Sequence, residues 1–166
     1  MTTKIIYLVQ HGEAYPKELN PDRPLTPEGK MTTRKMGEFI KNKGIQVETF
    51  WHSLKLRAKE TAEILREALD LLSTPIIEYE ELEPEISPKK ILKEIKKTEY
   101  SNIMIVGHLP HLSKLSGLLL LKDETLEIIS FEKAGIVCIE WKEEIGGILK
   151  WMITPSLIFG KRTDTG

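Results

Sequence analysis

Cysteine is nearly absent from this 166-residue chain, and that scarcity excludes two kinds of site. The one cysteine, Cys138, can form neither an internal disulfide framework nor a cysteine-based metal centre. It lies within the apolar run Ile136-Val137-Cys138-Ile139, and free cysteine is among the most buried residue types. The run therefore predicts a buried strand that contains Cys138.

Long apolar runs and an excess of charge of one sign are also missing. No stretch approaches the ~20 apolar residues that span a bilayer, and the short N-terminal apolar run ends at Gln10-His11 without a signal-peptide cleavage site. Lys and Arg total 24 against 25 Asp and Glu, a balance that argues against a general nucleic-acid binder. We therefore expect neither nucleic acid nor membrane as a partner and, by default, a cytoplasmic location. The oligomeric state stays open.

Strand-like and helix-like segments alternate along most of the chain. Hydrophobic residues make up 40% and charged residues 30% of the sequence, which is typical of a soluble protein with a real core. Apolar runs predict strands at residues 5–9, 45–51, 75–79 and 102–107, with helices between them that begin at capping pairs such as Thr26-Pro27 and Ser87-Pro88. Residues 126–131, 134–141 and 148–154 are also predicted to be strands. The pattern predicts an α/β sandwich with a mostly parallel sheet and an antiparallel edge.

Two of the predicted strands end in histidine, as Val9-Gln10-His11-Gly12 and Val106-Gly107-His108. In an open α/β sheet, ligands bind outside the carboxyl ends of the strands, so parallel neighbours would present both imidazoles at one edge. The adjacent glycines allow a ligand to approach the backbone closely. The alternative is that each histidine is a strand-terminal residue whose ring is satisfied by a backbone carbonyl.

Arginine is scarce, with five residues against 19 lysines, and one arginine occupies a notable position. Arg57 stands just inside a predicted helix start, and helix N-termini favour anions. The guanidinium group is the planar, bidentate partner of phosphate. Together with two imidazoles, Arg57 predicts a phosphate pocket, and the alternative is a surface arginine without that role.

Four segments, in this order, carry a family resemblance. They are residues 8–14 (Leu-Val-Gln-His-Gly-Glu-Ala), 23–29 (Arg-Pro-Leu-Thr-Pro-Glu-Gly), 53–62 (Ser-Leu-Lys-Leu-Arg-Ala-Lys-Glu-Thr-Ala) and 106–110 (Val-Gly-His-Leu-Pro). On these motifs the chain resembles the histidine phosphatase superfamily, and most of all its small bacterial phosphohistidine phosphatase branch. The resemblance implies a three-layer, phosphoglycerate mutase-like α/β/α domain over residues 1–160. The last six residues, 161–166, are predicted to form a flexible tail.

The resemblance also implies a reaction. His11 would take the phosphoryl group from protein phosphohistidine or from a phosphomonoester, and water would then release phosphate. His108 and Arg57 would hold the phosphoryl oxygens, and no metal or other cofactor is implied because cationic side chains neutralise the group. Glu81 is the implied general acid and Glu83 the second choice, both within the acidic stretch that follows the third predicted strand.

One position departs from the family pattern, because Gln10 stands where the family has an arginine before the nucleophilic histidine. Glutamine has no charge and cannot form a bidentate fork, so the loss is ~2–4 kcal/mol, or roughly 30- to 1000-fold in rate. Three outcomes stay open. Arg23 or a lysine compensates for the missing charge, the enzyme is slow, or the pocket binds phosphate groups without turning them over.

The remaining expectations concern the rest of the pocket. Gln10, Gly12, Arg23 and Ser53 are the expected substrate-binding residues, with helix capping as the alternative for Ser53. His111 is expected at the pocket rim or exposed. A mutase is a third functional class, which the short chain without lid insertions argues against.

Overall fold

Six strands form one mixed sheet in the computed structural model, which describes residues 2–160. The strands are β1 (Thr3–Gln10), β2 (Thr49–His52), β3 (Ile76–Glu78), β4 (Asn102–Gly107), β5 (Ile136–Lys142) and β6 (Gly146–Ile153). Their order across the sheet is β3-β2-β4-β1-β5-β6. The first four are parallel to their neighbours, whereas β5 pairs antiparallel with β1 and β6 antiparallel with β5. The predicted parallel sheet with an antiparallel edge is confirmed.

The helices begin where the sequence signals indicate. They are α1 (Pro27–Lys41), α2 (Leu56–Ala68), α3 (Pro88–Lys97), α4 (His111–Leu121) and α5 (Pro155–Phe159), with a short 3₁₀ helix at Glu80–Leu82. The Thr26 hydroxyl accepts a hydrogen bond from the Gly29 N–H, and the Ser87 hydroxyl accepts one from the Lys89 N–H. In both helices proline occupies the first position, where no amide hydrogen is needed.

Each face of the sheet carries its own hydrophobic core. The first core packs α1 and α2 against the sheet, and the second packs α3 and α4 against the opposite face. Alternate residues of β1 serve the two cores, so Val9 belongs to the first and Leu8 to the second. Cys138 is buried in the first core, as the apolar run around it predicts. This arrangement leaves the carboxyl ends of β1, β2 and β4 open between the two helix layers.

The C-terminal part of the sequence prediction needs correction. Residues 126–131 form no strand, because β5 already pairs with β1 and the segment instead packs Ile129 and Phe131 against the second core. Residues 155–159, for which no helix was predicted, form α5, which Thr154 caps. The predicted tail at 161–166 lies outside the described residues. None of the helices in the described range is long and apolar enough to cross a bilayer.

Candidate active site

The two strand-terminal histidines meet at one edge of the sheet. Strands β1 and β4 are parallel neighbours with Gln10 opposite Gly107, so the next residue of each strand emerges at the same level. The ring centroids of His11 and His108 are 5.1 Å apart, and both side chains are buried. The open sheet end therefore holds two imidazoles within reach of one small ligand.

The His11 ring is held in one tautomer by its own loop. Its Nδ1 lies 2.7 Å from the Gly12 carbonyl oxygen, which can only accept, so Nδ1 carries the hydrogen and Nε2 keeps a free lone pair. Burial lowers the pKa of His11 to about 4. The hydrogen bond to the Gly12 carbonyl opposes this shift, and the charges of Arg57, Lys133 and Arg23 add to it. The ring is therefore neutral near pH 7, with one nitrogen ready to act as a nucleophile.

The loop after His11 is fastened to α2 by a residue whose role the sequence analysis missed. The Gly12 N–H donates to the Thr61 Oγ1 at 3.0 Å, and that hydroxyl donates to the Arg57 carbonyl at 2.7 Å. A Cβ at Gly12 would lie 2.7 Å from the Thr33 Oγ1, so only glycine fits this approach. The available signal was the position of Thr61, one helical turn after Arg57 on α2.

The His108 ring is oriented from behind by Ser53. The Ser53 Oγ lies 2.6 Å from the His108 Nε2 and accepts from the Lys55 N–H at 3.2 Å. In the tautomer of His108 with its ring hydrogen on Nδ1, the Ser53 hydroxyl donates to Nε2; in the other tautomer, Nε2–H donates to the hydroxyl. Burial lowers the pKa of His108 to about 3, with His11 and Arg57 acting in the same direction.

The Nδ1 of His108 is buried and has no hydrogen-bond partner within the described range. A neutral ring with a hydrogen at that atom is a ready donor to an anionic oxygen. Ser53 is not the N-cap residue of α2, because Lys55 holds that position, and the Ser53 hydroxyl accepts from the Lys55 N–H. The Ser53 hydroxyl therefore contacts both the backbone at the start of α2 and the His108 ring.

Two arginines stand beside the imidazoles. Arg57 is the second residue of α2, and its pKa is lowered by burial and by the neighbouring charge of Arg23, while Glu83 opposes the shift. Arg23 has a left-handed backbone, with φ of 48°, and its Nε donates to the Tyr15 carbonyl at 3.0 Å. Adjacent like charges are unfavourable unless an anion lies between them. Both line a cleft of about 620 Å³ with Lys17, Lys55, Leu54 and Leu56.

Of the two candidate acids, Glu83 is the one near Arg57. Its Oε1 lies 3.4 Å from the Lys55 Nζ, and its Oε2 is buried without a hydrogen-bond partner in the described part of the chain. Glu81 lies within the 3₁₀ helix, where its charge adds to burial and Glu94 in raising the pKa of Tyr79. The second choice from the sequence thus has the better position.

Gln10 and His111 occupy buried positions of different kinds. Gln10 is 9% exposed at the end of β1, and its carbonyl accepts from the Ala134 N–H at 2.9 Å. The expectation that His111 lies at the pocket rim or is exposed is wrong, because its side chain is fully buried. His111 is the first residue of α4 and lies on the same buried face of that helix as Leu115, one turn later. His52 is also buried, with its Nδ1 on the Ser53 carbonyl at 2.7 Å.

The fold and this pair of histidines indicate a class of phosphate-handling proteins. The model of the histidine phosphatase superfamily (branch 1) matches residues 6–86, which include the nucleophile loop, Arg57 and the acidic stretch. Over these residues the chain matches the histidine phosphatase superfamily.

Individual relatives agree with that match. The chain is 25% identical over 158 residues to the phosphohistidine phosphatase SixA of Escherichia coli strain K12, covering 90% of this chain and 93% of that protein. A solved structure of SixA complexed with tungstate has a TM-score of 0.81 and 23% identity, covering 93% of this chain and 99% of that one. A phosphoglycerate mutase from Bacillus anthracis has a TM-score of 0.72 and 15% identity, with 96% of each chain covered. At these identities the two structures show a shared fold.

Proposed function

We propose that this protein is a metal-independent phosphatase that works through a phosphohistidine intermediate on His11. The observation that carries the proposal is the fixed tautomer of His11, whose Nδ1 bonds the Gly12 carbonyl at 2.7 Å and leaves Nε2 free. A nucleophile needs that lone pair, and the low pKa of the buried ring keeps it unprotonated at neutral pH. Protein phosphohistidine is the first substrate class, because the SixA relative bears the name phosphohistidine phosphatase. A phosphomonoester is the second.

The first step forms a bond between the His11 Nε2 and phosphorus while the bond to the leaving group breaks. Arg57 and the Nδ1–H of His108 hold the equatorial oxygens, where negative charge spreads in the loose transition state. Glu83 gives a proton to the leaving group. In the second step water attacks phosphorus, Glu83 takes a proton from that water, and the bond between phosphorus and Nε2 breaks to release phosphate.

The role of Ser53 follows from the same geometry. We propose that its hydroxyl donates to the His108 Nε2, which fixes the ring hydrogen on Nδ1, the nitrogen with no protein partner among residues 2–160. We therefore assign Ser53 as a positioning residue for His108 rather than as a direct phosphate ligand.

A direct test traps the phosphoenzyme. The wild-type chain and His11→Asn are incubated with a labelled phosphohistidine protein and quenched in denaturant at high pH, where phosphohistidine survives. Asparagine keeps a donor toward the Gly12 carbonyl but removes the nucleophile. We expect label on the wild type and none on His11→Asn, and a buried histidine outside the pocket, changed in His111→Met, serves as the matched control that keeps the label.

One observation favours a second candidate, a binding module that holds phosphate groups without turnover. Gln10 is neutral and buried beside the nucleophile, where the family pattern has a charge. If the wild-type chain binds inorganic phosphate but neither hydrolyses substrate nor becomes labelled, the catalytic proposal is wrong and the binding module stands. Label that persists on His11→Asn would also contradict the proposed nucleophile.

A further inference from the structure

A lysine outside all four sequence motifs lies beside the neutral position of the pocket. We propose that Lys133 supplies the cationic contact to the bound phosphoryl group that Gln10 cannot make. The inference rests on the proposed function only in assuming that a phosphoryl group occupies the space next to His11. The sequence left three outcomes open, and one of them was that another residue compensates for the missing charge. The proposal assigns that compensation to Lys133.

The backbone places Lys133 next to Gln10. The loop before β5 folds back onto the end of β1, where the two residues form an isolated parallel bridge and the Ala134 N–H bonds the Gln10 carbonyl. Paired residues on adjacent strands project to the same face of a sheet, so both side chains start from the same side. The four-carbon stem of lysine then gives its ammonium the reach to cover the neighbouring His11.

The charge of Lys133 is available to an anion. Lys133 is exposed, and in residues 2–160 no carboxylate lies within ion-pair distance of its ammonium. The adjacent Glu132 is held elsewhere, because the Ser156 N–H and hydroxyl bond its two oxygens at 2.8 and 2.6 Å. The ammonium is also close enough to His11 to lower the pKa of that ring.

Arg23, the other candidate for charge compensation, lies on a different side of the pocket. Its guanidinium lies close enough to Arg57 to lower the pKa of that arginine, and its Nε is committed to the Tyr15 carbonyl. Lys133 approaches instead from the β5 side, where Gln10 stands. The two cations therefore flank the phosphoryl position from different directions, and Lys133 is the one next to the substituted residue.

The test compares Lys133→Met with Lys93→Met, an exposed lysine on α3 whose loss changes the net charge equally. Inorganic phosphate is titrated while the His11 ring is followed by NMR. We expect Lys133→Met to weaken phosphate binding about tenfold and to raise the pKa of His11, because a charge-assisted contact is lost. Lys93→Met should change neither value, and Lys133→Arg should keep phosphate affinity within about threefold of wild type.

The same titration in a Gln10→Arg background tests compensation itself. An arginine at position 10 makes the lysine redundant, so we expect the effect of Lys133→Met to shrink to less than about threefold there. The inference is overturned if Lys133→Met binds phosphate as Lys93→Met does, or if its loss is equal in both backgrounds. Phosphate binding needs no turnover, so a chain that shows the Lys133 effect but never becomes phosphorylated supports this inference and contradicts the proposed catalysis.

Discussion

Replacing His111 with methionine should make the protein more resistant to acid. The His111 ring is fully buried at the start of α4, and neither ring nitrogen has a hydrogen-bond partner within residues 2–160. Burial lowers the pKa of His111 from 6.5 to about 4; the Glu81 backbone opposes this shift and the charge of Lys114 adds to it. The folded protein therefore keeps this ring neutral at pH values where the unfolded chain protonates it.

The sign and size of the effect follow from that difference in pKa. Between pH 6.5 and about 4 the unfolded state binds more protons at this residue, so the free energy of unfolding falls as the pH falls through that window. From pH 7.5 to pH 5 the loss through His111 is roughly 2 kcal/mol. Methionine does not titrate and suits an apolar, irregular site, so His111→Met escapes the loss.

Urea unfolding at pH 7.5 and pH 5, followed by tryptophan fluorescence, measures the effect. The buried Trp51 and Trp141 report on the two states. The stability of His111→Met relative to wild type should increase by roughly 2 kcal/mol between the two pH values, and Leu112→Met on the same helix should keep the wild-type pH dependence. Parallel pH dependences for wild type and His111→Met would refute the reasoning.

Three further substitutions test the pocket and its support. Ser53→Ala leaves the His108 Nε2 without its partner and should lower kcat about tenfold in steady-state assays; an unchanged kcat removes the positioning role. Arg57→Lys keeps the charge but loses the bidentate fork, so kcat/KM should fall about 100-fold, and equal values in both proteins exclude a phosphate contact. Gly29→Ala drives a Cβ against the Glu13 carbonyl oxygen and should reduce the free energy of unfolding by about 1–3 kcal/mol, measured with urea; wild-type stability would mean that the close approach is absent.

The position of the two histidines was predictable from sequence because it depends on a local rule. Parallel strands end at the same edge, and both His11 and His108 directly follow a buried apolar run. Arg57 was predictable for a related reason, since a helix start faces that edge. These placements need only the type and order of elements, which hydrophobic patterning provides.

The positions of the candidate acid and of the buried His111 were harder to predict from sequence, because they depend on where local helical turns begin. Glu81 and Glu83 are two residues apart, and the 3₁₀ helix at Glu80–Leu82 decides which carboxylate lies near Arg57. His111 follows His108 by three residues, and α4 begins at His111, so the helix turns its ring into the core. Sequence spacing alone does not show where such a turn begins.

The remaining differences between prediction and structure come from backbone pairing between segments that are distant in the sequence. Residues 126–131 have strand-like composition, but the open edge of β1 is filled by β5, which no local signal reveals. Lys133 lies near His11 because its loop folds back onto Gln10, more than 120 positions earlier in the chain. A motif search directed at the four family segments therefore passes over it.

The most direct test of the account is a crystal structure of the protein with vanadate bound. The account predicts vanadium bonded to the Nε2 of His11, with Arg57 and the Nδ1 of His108 on its oxygens and the Lys133 ammonium on the Gln10 side. Vanadate bound away from both imidazoles, or bonded through His108 instead of His11, would contradict it.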